Sequence, residues 1–95
     1  MRQHNHMKIL IVGGGEIGRN LATQLAHDGY QVTMIDREES VVDRMGNSAD
    51  VICLQGNGAS YGTLKEAGAG DADILIAVTD SDELNILSCM TAHMM

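Results

Sequence analysis

Gly13, Gly15 and Gly18 stand in the spacing G-x-G-x-x-G, and Asp36 follows eighteen positions after the last of them. In that spacing the first glycine lets the backbone turn sharply, the second has no Cβ to obstruct a pyrophosphate, and the third lets a helix pack close to the strand before it. Gly14, Glu16 and Ile17 fill out the turn. Unpaired N–H groups at the helix start and the positive end of its dipole attract an anion, the dipole contributing roughly 0.3 to 1 kcal/mol per charge. Little basic side-chain help is needed. Asp36 closes the segment QVTMID, where a carboxylate can accept both hydroxyls of a ribose. Its local alternative is a turn residue or helix N-cap ahead of Glu38 and Glu39, and one carboxylate can fill both roles. Together these residues point to a nucleotide.

Two later loops fall where a parallel sheet presents its ligand crevice, beyond the carboxyl ends of its strands. The first is Gln55-Gly56-Asn57-Gly58-Ala59-Ser60. Gly56 and Gly58 allow close backbone approach beside Ala59, and Asn57 can donate and accept at an adenine edge. The competing reading is a turn with Asn57 in a left-handed conformation and Ser60 capping the next helix. The second loop, VTDSDELN, runs from Val78 to Asn85. There Thr79 could bond phosphate or ribose, and Asp80 with Glu83 forms a capping-box-like helix start. Asp80, Asp82 and Glu83 are also hard oxygen ligands suited to Mg²⁺ or Ca²⁺, but the cluster lacks a ligand loop, and no metal site is assigned.

The elements that must hold these loops alternate. Ile9 to Val12 reads as a strand, an amphipathic helix opens at Ile17 and stops at Gly29, and Gln31 to Asp36 is a second strand. Glu39 to Met45 is helical, Val51 to Gln55 a third strand and Tyr61 to Ala67 a short helix. Ile74 to Val78 makes a fourth strand, and a helix from about Asp82 reaches Met95. Right-handed crossovers then imply an α/β, Rossmann-like parallel sheet in the order 3-2-1-4, covered on both faces. It amounts to the first half of a dinucleotide-binding fold plus one strand and helix, so the domain over residues 7–95 reads as C-terminally incomplete. In the first helix Ile17, Leu21 and Leu25, with Ala22 and Ala26, form the expected sheet-facing stripe. His27 near its end is a solvent-facing residue suited to the negative helix terminus. In the last helix Leu84, Ile86, Leu87, Met90, Met94 and Met95 cover more of the circumference than one core stripe requires, which calls for cover by the remainder of a domain, a neighbouring module or, as we hypothesise, a second copy of the chain.

Composition narrows the classes. The chain has 95 residues, no Phe or Trp, two Tyr and seven Met, so the core must be soft and aliphatic. Thirteen acidic residues against six basic ones give a net charge of -7, with no basic stripe for nucleic acid. No apolar run approaches the ~18 residues of a membrane span, and no secretory signal precedes the first strand, which reads as cytoplasmic. Cys53 and Cys89 lack the paired spacing of zinc or redox sites, and both read as small apolar packing residues. Residues 1–6, with His4 and His6, read as a disordered tail or an appended remnant before Met7.

From Met7 onward the chain resembles the TrkA-type N-terminal domain, also called RCK or KTN, of bacterial and archaeal potassium-transport regulators. The resemblance is carried by the Gly13, Gly15, Gly18 turn, Asp36 after VTMI, the QGNGAS loop, LKEAGAGDADILIAVTD (Leu64 to Asp80) and then Asp82, Glu83 and Asn85. It implies a cytoplasmic nucleotide-binding module at the inner face of the membrane, bound to a potassium pore subunit whose gate responds to the ligand. It also implies Asp36 on the ribose, Gly13 to Gly18 on the phosphates, and the loops at Asn57 and Thr79 on the adenosine side. Asn57 stands where the family often has Asp, and Glu16 where some triphosphate-binding members have Arg. A carboxylate at Glu16 disfavours a triphosphate more than a diphosphate, with Arg19 a partial offset, so NAD(H), then ADP, is favoured over ATP, with AMP a further adenine nucleotide. Arg37 could neutralise a 2′-phosphate, but Asp36 opposes it, which argues against NADP.

A fragment of an NAD-dependent dehydrogenase is the alternative, since fold does not fix function. Against it, the half that would seat nicotinamide is missing, and no His or Lys stands in a catalytic position. A non-enzymatic regulator that assembles with copies of itself and shifts between arrangements on binding is the reading preferred here.

Overall fold

A computed structural model describes residues 7–48 and 50–95, with the Ser48 side chain left out, so the reading of residues 1–6 as a tail lies outside the described residues. The elements run β1 (Lys8–Val12), α1 (Glu16–His27), β2 (Gln31–Asp36), α2 (Glu39–Ser48), β3 (Ile52–Gln55), α3 (Tyr61–Glu66), β4 (Ile74–Ala77) and α4 (Asp82–His93). A 3₁₀ turn at Ala69–Asp71, which the sequence pattern did not announce, leads into β4. All pairings are parallel and the order is β3-β2-β1-β4, as expected.

Alternation along the central strand explains why both faces must be covered. Ile9 and Ile11 of β1 point into one core with Ala22, Ala26, Val32, Met34, Met45 and Val51, beneath α1 and α2. Leu10 and Val12 point the other way, to Ile35 and Leu64, where Ala67, Ala77, Ala92 and Met95 pad the space beneath α3 and α4. Fully burying a Leu, Ile or Met side chain contributes about 1.5 to 3 kcal/mol, so the second core, with four buried residues, is the thinner one.

The stripe expected on α1 is shifted by one residue. Its buried row is Gly18, Ala22 and Ala26, with Leu21 and Leu25 flanking it half-buried. Ile17 is 70% exposed and takes no part in the core. The cause is close approach: small residues at every fourth position let the helix axis come near the sheet, which leaves Ile17 above the strand ends. α1 ends where Gly29 adopts φ +97°, and His27 lies exposed in its last turn.

Cys53 is half-buried on β3, and burial raises its thiol pKa above the ordinary value. Cys89 departs from its expected packing role and is exposed on α4, because that helix turns Ser88 to the sheet instead. Ile86, Leu87, Met90 and Met94 are exposed as well, Met94 at 82%, matching the excess apolar surface foreseen for this helix. No helix among the described residues is long and apolar enough to cross a membrane.

Candidate functional site

The carboxyl ends of β1, β2 and β4 open onto a cleft of about 1050 Å³. Its floor is the glycine turn. Gly13 has φ +117°, a region that only glycine enters freely, and its N–H donates to the Ile35 carbonyl at 2.8 Å. A Cβ on Gly18 would collide with the Gly13 carbonyl oxygen, and one on Gly14 would strike Val41, whereas one on Gly15 would meet nothing within 4 Å. Gly13, Gly14 and Gly18 are therefore needed by the protein itself. Gly15 has open space where its Cβ would stand, and it lines the cleft. It also stands at the N-cap of α1 with no side-chain cap among the described residues, so the first-turn N–H groups face a site able to take an anion.

Asp36 joins this turn to the end of β2. Its Oδ2 accepts from the Gly14 N–H at 2.6 Å and its Oδ1 from the Glu38 N–H at 2.9 Å. Of its two expected roles the local turn into α2 is found, made by Oδ1, while Oδ2 orders the glycine turn, a contact the spacing did not announce. A carboxylate offers about four lone-pair sites, so roughly two are left for vicinal hydroxyls, on oxygens whose orientation is already set.

Of the residues singled out by sequence, Gly13, Gly14, Gly15, Glu16, Ile17, Asp36, Arg37, Gly56, Gly58, Val78, Thr79 and Asp80 line the cleft together. Gly18, Asn57 and Ala59 do not. Gly18 is buried under the turn, and the Asn57 Oδ1 accepts from the Ala59 N–H at 2.9 Å, closing a local turn. Among the described residues none but glycine has positive φ, so the left-handed Asn57 is not found. Ser60 occupies the N-cap position of α3 but makes no side-chain cap bond. Gly58 packs where a Cβ would run into Val12.

The loop after β4 also differs from expectation. Ser81, not Asp80, caps α4: its Oγ accepts from the Leu84 N–H at 3.1 Å. The backbone reason is register, since the Ser81 to Leu84 interval is the N-cap to third-residue spacing that such a bond requires. Thr79 lines the cleft and donates its N–H to the Asn85 Oδ1 of α4 at 2.9 Å, while its hydroxyl has two acceptors in reach, the same oxygen at 2.6 Å and the Ser81 carbonyl at 3.1 Å. No three His, Cys, Asp or Glu residues among those described converge into a metal site, Asp80, Asp82 and Glu83 included.

Sequence reasoning missed Val12, Ile35, Glu38, Glu39, Val41, Ser81 and Leu84 as lining residues. The acidic pair carried a signal, because a helix opening directly after Asp36 must hold its first turn over the cleft. Glu16, Asp36, Glu38, Glu39 and Asp80 thus surround it against Arg37, the one basic side chain among its described lining residues. Arg19 folds back on its own helix instead, its Nε donating to the Gly15 carbonyl at 3.4 Å.

Comparison with known protein families matches residues 9–95 to the TrkA-N domain. The chain belongs to the TrkA-N domain family. A Trk system potassium uptake protein TrkA homolog of Methanothermobacter thermautotrophicus is 40% identical over 84 residues, covering 88% of this chain and 39% of the relative. The Trk system potassium uptake protein TrkA of Haemophilus influenzae is 37% identical over 87 residues, covering 92% of this chain and 19% of the relative. The chain therefore spans a fifth to two fifths of the length of these curated relatives. Among solved structures, the Shewanella denitrificans Kef CTD in AMP-bound form superposes with a TM-score of 0.77 at 25% identity, covering 92% of this chain and 52% of that one. This TrkA-N domain shares with it a Rossmann-like α/β fold.

Proposed function

We propose that this TrkA-N domain binds an adenine nucleotide in the cleft above β1 and β2 and acts, without chemistry of its own, as the regulatory ligand sensor of a potassium-transport system. The observation that carries the reading is Gly15: a glycine that the fold does not require, at the uncapped start of α1, beside a carboxylate with two oriented oxygens. The phosphates would rest on the Gly13 to Gly18 turn and the ribose on Asp36. The AMP carried by the Kef structure and the potassium-uptake names of the relatives support the same reading.

The ring of carboxylates sets the preference within that class. Each added phosphate charge is repelled by Glu16, Glu38, Glu39 and Asp80, with Arg37 a partial offset. NAD(H) or AMP should therefore bind more tightly than ADP, and ADP more tightly than ATP. The domain would work on the inner side of the membrane beside a pore subunit, and assemble with copies of itself through the apolar face of α4 and the open edge of β4. Sedimentation velocity at rising concentration tests that assembly; a single monomeric species throughout would refute it.

Calorimetric titration with NAD⁺, NADH, AMP, ADP and ATP tests the site, with Asp36→Ala as control. Binding in the order given, lost in the variant, is expected. Equal affinity in the variant would remove Asp36 from the ribose role. Steady oxidation of NADH with a small carbonyl compound would overturn the non-enzymatic assignment.

A further inference from the structure

The glycine turn is not isolated from α4. A Cβ on Gly13 would come within 3.0 Å of the Thr79 nitrogen and of the Val78 carbonyl carbon and oxygen, so the phosphate turn rests directly on the Val78–Thr79 peptide. That peptide is gripped by one side chain, Asn85, in the first half of α4. The Asn85 Oδ1 accepts from both the Thr79 N–H at 2.9 Å and the Thr79 hydroxyl at 2.6 Å, and its Nδ2 donates to the Thr79 carbonyl at 3.1 Å. Ser81 tightens the same knot, its N–H donating to the Thr79 Oγ1 at 3.2 Å. Asn85 does not itself line the cleft.

We infer that Asn85 is a positioning residue that couples the phosphate turn to α4, so that occupancy of the cleft is transmitted to the exposed face carrying Ile86, Leu87 and Met90. The inference rests on the nucleotide reading above. Three partially buried bonds from one amide leave Thr79 little freedom to shift without moving Asn85, and Asn85 is part of a continuous helix. A nucleotide pressing on the Gly13 turn therefore meets a rigid chain of contacts: turn, peptide, amide, helix. The carboxamide is the right group for this task because it presents an acceptor to the N–H and O–H and a donor to the carbonyl at once. A carboxylate could keep the first two bonds but would face the Thr79 carbonyl with a second acceptor.

The test compares wild type, Asn85→Ala and Asn85→Asp by hydrogen exchange with and without saturating AMP or NAD⁺, alongside calorimetry. In wild type, nucleotide should slow exchange both in the Gly13 to Gly18 turn and along Glu83 to Met95. In Asn85→Ala the affinity should fall about tenfold, the loss of a hydrogen bond or two. At saturation the turn should still be protected while α4 no longer responds. Asn85→Asp should bind between the two and keep part of the α4 response. A residue that only supports folding would lower the melting temperature and leave the α4 response intact at saturation. That result, or an α4 response equal to wild type in both variants, overturns the inference while the nucleotide reading survives. Absence of binding by wild type would instead sink the nucleotide reading, and the coupling with it.

Discussion

Gly15→Ala separates what the fold needs from what a ligand needs. Gly15 sits at φ -69° and ψ -172°, an extended conformation open to any residue, and its added Cβ would touch no protein atom within 4 Å. Two small effects on stability oppose one another. Alanine reduces the entropy of the unfolded chain, a gain of about 0.4 to 1 kcal/mol, and it is a poorer N-cap than glycine by roughly 1 kcal/mol or less. The melting temperature should thus stay within the ~4 to 8 °C that one kcal/mol represents for a domain of this size. Binding should respond very differently. Gly15 lines the cleft, where under the proposed function a phosphate would approach to about 3 Å of the first-turn N–H groups. A methyl group there would crowd that phosphate and should cost at least ~1.4 kcal/mol, about tenfold in Kd. The assay is a thermal melt followed by titration with AMP and NAD⁺ on the same preparation. Wild-type affinity in a variant that melts like wild type would show that no phosphate rests on this turn.

Gly18→Ala should do the reverse, because its Cβ runs into the Gly13 carbonyl, a backbone atom that cannot step aside. Overpacking of this kind costs about 1 to 3 kcal/mol, and a melting temperature unchanged by the substitution would contradict the close strand-to-helix contact. The two cysteines should differ in reactivity: a disulfide reagent should modify exposed Cys89 quickly and half-buried Cys53 slowly, and Cys89→Ser should remove the fast phase alone. Burial raises the Cys53 pKa, so its contribution to stability is complete below the unfolded thiol value of about 8.5 and is lost as pH climbs through the higher folded value. Melts from neutral to alkaline pH should show a decline that Cys53→Ala lessens; an identical decline in that variant would exclude this source.

Much of this protein could be read from local pattern. The alternation of short aliphatic strands with amphipathic helices left one economical topology, and the observed order β3-β2-β1-β4 is the one that right-handed crossovers allow. The glycine turn and Asp36 were equally legible, since positive φ at Gly13 and a carboxylate at the end of a strand are demands written in residue type and spacing. Distance in space was not. Nothing along the chain says that Gly13 rests on the Val78–Thr79 peptide, or that Asn85 spends its amide on Thr79 and Ser81 takes the cap expected of Asp80. Nor does spacing reveal that Gly18, Ala22 and Ala26, not Ile17, face the sheet, because the depth of a helix over a strand depends on the volume of side chains from both. Periodicity and turn chemistry act between neighbours in sequence, so they survive in the bare order of residues. Close packing and hydrogen-bond choice arise between segments far apart in that order, and they exist only once the sheet has brought its strand ends together.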